Sequence, residues 1–84
     1  MVPQGLRVDQ SLDVRGLPRE EGYHRANATL KTMAEHEVLE VHLDEGEPLT
    51  TIPFALRAEG HEILVSESVV GGVRLLVRKR ASLA

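Results

Sequence analysis

The side chains with the most chemistry to offer stand together in one short stretch. Arg15 precedes a break, Gly16-Leu17-Pro18, and Arg19, Glu20 and Glu21 follow it directly. A cation beside two carboxylates at a helix mouth can form a charged recognition patch for another protein. The same residues can equally be a solvated helix start, where the acids complement the helix dipole. The residues alone leave both readings open. Arg15 either joins such a patch or pairs with a nearby acid, and an exposed pair of that kind is worth ~0–1 kcal/mol.

Other chemistry is thinly represented. The four histidines, His24, His36, His42 and His61, show no i, i+4 pair, so no metal site is expected. There is no cysteine, which removes thiol nucleophiles, thiolate ligands and disulfides together. Ser11, Thr50, Thr51 and Ser66 fall in no nucleophile motif, and there is no phosphate-binding glycine loop or poised pair of acids. No catalytic residue and no cofactor are singled out.

The elements that must hold these residues follow from hydrophobic spacing. Ser11 to Arg15 alternates, with Leu12 and Val14 on one face, and reads as a short strand. Arg19 to Glu35 reads as a helix with Tyr23, Ala26, Leu30, Met33 and Ala34 along one apolar stripe. Val38 to Leu43 is a second strand, with Leu39, Val41 and Leu43 facing one way and Val38, Glu40 and His42 the other. Asp44 to Pro48 reads as a turn. Thr51 is the expected cap of a second helix, with Pro53 in its first turn and Ile52, Ala55, Leu56 and Phe54 on its buried side. Gly60 fits a left-handed C-cap.

His61 to Glu67 is a third strand, with Ile63 and Val65 inward and Leu64 and Ser66 outward. Val73 to Lys79 is a fourth, with Val73, Leu75 and Val77 on one face. The order βαβαββ places two helices on one face of a four-stranded mixed sheet. The expected class is α+β, a two-layer sandwich with an open sheet face. Residues 1–10 are a lead-in, 11–80 the domain and 81–84 a tail.

The open face carries two further readings. Arg74, Arg78 and Arg80 share strand parity, and a basic stripe there would suit a nucleic-acid backbone. Asp13, Glu40 and Glu62 fall on the same face, and no aromatic is available to stack bases, so a mixed-charge solvated face is favoured over that alternative. Leu64 and Leu76, with Val38, could seed a small apolar patch and a weak homodimer through this face.

Composition narrows the classes further. Eighty-four residues, 42% of them apolar, suffice for one modest core. The formal charge of −3 argues against nucleic acid as the main partner. No apolar run approaches the ~20 residues needed to span a bilayer. Met1 to Gln10 lacks the basic-then-apolar pattern of a secretory signal, which makes the cytoplasm the default expectation.

The ordered set Leu12-Asp13-Val14-Arg15-Gly16-Leu17, Val38-Leu39-Glu40-Val41, Ile52-Pro53, Gly60-His61-Glu62-Ile63, Gly72 and Arg78-Lys79 resembles the TusA/SirA family of small bacterial sulfur carriers over about 70 residues. The resemblance implies the same two-layer sandwich. It also implies a partner among the proteins of a sulfur relay. In that family a Cys-Pro-x-Pro motif follows the Gly-Leu pair, and its cysteine carries sulfur as a persulfide. A helix N-terminus stabilises such an anion. Here the four positions read Arg19, Glu20, Glu21 and Gly22. Arginine cannot hold a sulfane sulfur, and the two carboxylates would repel a persulfide. The expected function is therefore a protein-binding or regulatory module without the sulfurtransferase activity.

Overall fold

A computed structural model describes residues 7–80 of the chain. The elements run β1 (Gln10–Asp13), α1 (Arg19–Thr32), β2 (Val38–Leu43), α2 (Glu47–Ala58), β3 (Glu62–Val69) and β4 (Gly72–Arg78). The sheet order is β1-β2-β4-β3. β1 runs parallel to β2, while β2–β4 and β3–β4 are antiparallel. The expected mixed four-stranded α+β sandwich is what forms.

The core follows from strand parity. Leu39, Val41 and Leu43 of β2 and Val73, Leu75 and Val77 of β4 face the helices. They meet Ala26 and Leu30 of α1, Ile52 and Leu56 of α2, and Val14 and Met33 from the loops. Full burial of each Leu or Ile is worth about 1.5–3 kcal/mol, so this cluster of aliphatic side chains supplies most of what holds the fold. Tyr23 packs at its edge and donates its hydroxyl proton to Glu59 Oε1 at 3.3 Å.

Several element boundaries and facings differ from the expectations. α1 ends at Thr32 rather than Glu35, because Met33 turns to an extended conformation and donates its N–H back to Leu30. Lys79 Nζ then donates to the carbonyls of Met33 at 2.6 Å and Lys31 at 3.3 Å, capping the helix end with a cation. Ala34 is accordingly exposed. α2 begins at Glu47 behind Gly46, so Thr51 is not its cap and Pro53 lies inside the helix. Phe54, expected on the buried side, is 73% exposed.

The largest correction lies in β3. Ile63 pairs with Val77 but Val65 pairs with Leu76, so an extra residue, Leu64, interrupts the register. One such bulge shifts the period-2 pattern by one residue. Ile63 stays on the core side, whereas Val65 and Glu67 move to the open face opposite Leu76 and Arg74. The expected apolar seed is also altered, because Leu76 and Val38 are buried and present no surface for a self-contact. Leu76's neighbours on that face are Arg74 and Arg78 along the strand, Glu40 on β2 and Val65 on β3, and long charged side chains shield apolar surface beneath them.

Candidate functional site at the mouth of the first helix

The loop from β1 to α1 is fixed by backbone bonds before any side chain is considered. Val14 N–H donates to His42 O at 3.0 Å, which carries the β1–β2 pairing one residue beyond the strand. Leu17 N–H donates to Val14 O at 3.3 Å, and Gly16 N–H donates to Asp44 Oδ2 at 2.7 Å. The loop is thereby tied to the end of β2. Pro18 is the N-cap, with no side-chain cap bond, and its carbonyl accepts the Gly22 N–H at 2.9 Å. The first turn of a helix points its backbone N–H groups toward the entrance and gives it a partial positive charge.

Arg19, Glu20 and Glu21 form the exposed first turn of α1. Glu21 is bonded by Arg25 one turn on, with Oε2 accepting from Nη2 at 2.7 Å and Nε at 3.1 Å. A shallow depression of ≈ 550 Å³ beside this turn is lined by Pro18, Glu20, Glu21, His24, Arg25 and Ala28. Gly22, the fourth residue of the turn, is buried. A Cβ added there would lie 3.2 Å from Ile52 Cδ1 and 3.3 Å from Val14 Cγ2. The glycine lets α1 settle closely onto α2 and the β1 loop.

Arg15 does not join this turn. Its guanidinium makes a two-pronged bond to Asp13, at 3.0 Å from Nε and 2.8 Å from Nη2, and its backbone N–H adds a third bond at 3.0 Å. These donors hold the Asp13 carboxyl well below the usual carboxylate range, the Arg15 side chain contributing most. The Arg15 side chain then reaches the β3–β4 turn, where a Cβ on Gly71 would meet its Nη1 at 3.0 Å.

The arginines of the open face are engaged with carboxylates. Arg74 lies between two of them, its Nε donating to Glu40 and its Nη1 to Glu67 at 2.9 Å. Arg78 Nη2 donates to Glu62 Oε1 at 2.5 Å. The Glu40 carboxyl is held below its ordinary value, chiefly by Arg74 and further by Ser11 and His42. Arg80 is separate from these pairs, at the far end of β4. The bulge at Leu64 is what brings Glu67 opposite Arg74, and no feature of the composition marks it. Among the described residues, no cluster of histidine and acidic side chains has the make-up of a metal site.

The architecture is that of a small α+β two-layer sandwich, with the first helix opening behind the Gly16-Leu17-Pro18 turn. The sequence pattern of the family described as "Sulfurtransferase TusA" matches residues 10–79, and the chain belongs to that family. No curated protein matches the chain. The matched span includes the whole helix mouth, in a chain with no cysteine at all. An N–H-rich entrance that could stabilise a thiolate or persulfide instead carries Glu20 and Glu21. A side chain able to form an S–S bond with an incoming sulfur is missing.

Proposed function

We propose that this chain is a protein-binding or regulatory member of its family that engages a sulfur-relay protein without carrying sulfur. The observation behind the reading is the combination of a family match over residues 10–79 with a sequence that contains no cysteine. The contact surface is the first turn of α1, where Glu20 and Glu21, next to Arg19 in the chain, border a shallow depression and the Glu21–Arg25 pair fixes one wall. Such a surface recognises complementary charge, which sets register and on-rate more than raw affinity.

Isothermal titration of the chain against a cysteine desulfurase tests this. Binding that falls with rising salt, and falls further when Arg19→Glu and Glu20→Lys are introduced together, is the expected result. Undiminished binding by that double variant would remove the first turn of α1 from the interface.

A nucleic-acid module built on Arg74, Arg78 and Arg80 is the second reading. The pairing of Arg74 with Glu40 and Glu67, and of Arg78 with Glu62, favours the protein-binding reading over it. Binding to short RNA at low ionic strength, steeply lost with salt, would reverse that preference. The place of action consistent with this role is the cytoplasm, and among the described residues no helix is long and apolar enough to cross a membrane.

A further inference from the structure

A second concavity lies at the opposite end of the sheet from the α1 entrance, where β4 ends and β3 begins. It has a volume of ≈ 290 Å³ and is more enclosed than the depression at α1. Arg78, Lys79 and Arg80 line it against a single carboxylate, Glu62, and His36 and His61 complete the walls. This is a cationic cleft in a chain whose formal charge is −3.

Its donors differ in how far they are already used. Lys79 Nζ caps the end of α1 and Arg78 pairs with Glu62. Arg80 has no carboxylate bonded to its guanidinium among the described residues. Its stem passes Gly60, where a Cβ would lie in ordinary van der Waals contact, 3.5 Å from Arg80 Cδ. The half-buried His61 ring accepts the Arg80 backbone N–H on Nδ1 at 3.4 Å, which leaves Nε2 as the protonated donor of the neutral ring. His36 is held in place by two backbone bonds, His36 N–H to Lys79 O and Lys79 N–H to Glu37 O, both 2.8 Å. It is the one non-glycine residue with positive φ among those described, at 68°, a conformation uncommon outside glycine. Two imidazoles and a free guanidinium are thus fixed around one cavity by the backbone of a single strand end.

We propose that this cleft binds the phosphate group of a small phosphorylated metabolite, held by the Arg80 guanidinium and the His36 and His61 imidazoles. A planar guanidinium fork and ring N–H donors suit a tetrahedral oxyanion. A dianionic phosphate gains about twice the Coulomb attraction of a carboxylate at the same distance. An extended polyanion is disfavoured, because Glu35 and Glu37 border the neighbouring depression that shares His36 and Arg78, and Glu59 lies close enough to act on the His61 ring. The cavity admits the phosphate with a small attached body. The site is independent of the surface at α1.

Titration of the ¹⁵N-labelled full chain with inorganic phosphate, and separately with glycerol 3-phosphate, tests the proposal against sodium chloride at matched ionic strength. Saturable shifts of the His36, His61 and Arg80 amides, with one common Kd for each probe, are expected. Arg80→Ala, at an exposed position that the fold does not need, should weaken binding about tenfold or more, as loss of a charge-assisted bond implies. His61→Gln keeps a donor and should weaken it less. Shifts that match chloride, that centre on α1, or that survive Arg80→Ala unchanged would overturn the assignment. Tighter, steeply salt-dependent binding of a short RNA at the same residues would overturn it in favour of nucleic acid.

Discussion

Replacing Gly72 by alanine is expected to be among the most damaging single-methyl changes in this domain. Gly72 opens β4 at φ 153°, and a Cβ built there would lie 2.2 Å from the carbonyl oxygen of Leu43. Cβ atoms stop approaching at 3.0 Å, so β4 must part from β2 by about 0.8 Å at this end against a steep repulsion. The obstacle is backbone in the partner strand, adjacent to the paired residues Leu43 and Val73, and cannot rotate aside. Parting the strands lengthens one or two ladder hydrogen bonds beyond useful range, about 1 kcal/mol each. Holding alanine in a glycine-favoured region adds about 1–3 kcal/mol. The sum is roughly 2–5 kcal/mol, against a total of roughly 4–13 kcal/mol for a domain of this length.

Gly46→Ala is the matched control. Gly46 also has positive φ, 96°, but nothing lies within 4 Å of its Cβ position, so only the conformational cost of about 1–3 kcal/mol remains. Thermal and urea melts followed by far-ultraviolet circular dichroism should place Gly72→Ala at least about 10 °C below the parent and clearly below Gly46→Ala. If the two variants melt together, the close approach to Leu43 does not govern this position and the reasoning fails.

Other outcomes follow from the same geometry. Gly22→Pro deletes the 2.9 Å bond to Pro18 O and crowds Ile52 and Val14, so the urea midpoint should report a loss of about 1–3 kcal/mol. Arg19→Cys on the exposed turn should instead stay within about 0.5 kcal/mol of the parent. Glu40 titrates below its unfolded value because of Arg74; its contribution is therefore present above about pH 4.3 and lost as pH falls through the folded value. Glu40→Gln should flatten the acid limb of stability against pH, and an unchanged limb would assign acid sensitivity elsewhere. Burial, aided by Lys79 and opposed by Glu59, lowers the His61 value, so its protonation should cost stability as pH drops below about 6.5. His61→Gln should remove that part of the slope in urea titrations at pH 7 and pH 5.

The fold was legible wherever the period of apolar residues was unbroken. Leu39, Val41 and Leu43, and Val73, Leu75 and Val77, alternate without fault, and both strands lie as their spacing implies. The bulge at Leu64 was not legible, because alternation counts residues and cannot register an unpaired one; its position is decided by pairing to Leu76 and Val77. α2 began earlier than expected because a helix can start behind Gly46 without a side-chain cap. The end of α1 depended on Lys79, far away in sequence, reaching the Lys31 and Met33 carbonyls. At the site, the absence of a thiol and the grouping of Arg19, Glu20 and Glu21 are plain in the sequence. The turning of Arg15 onto Asp13 and the gathering of His36, His61 and Arg80 around one cleft depend on tertiary pairing.

The claim that this family member does not carry sulfur is tested most directly by intact-protein mass spectrometry after incubation with a cysteine desulfurase and cysteine. With no cysteine anywhere in its sequence, the chain should return at its unmodified mass. A stable increment of one sulfur atom, released by a reductant, would contradict the account.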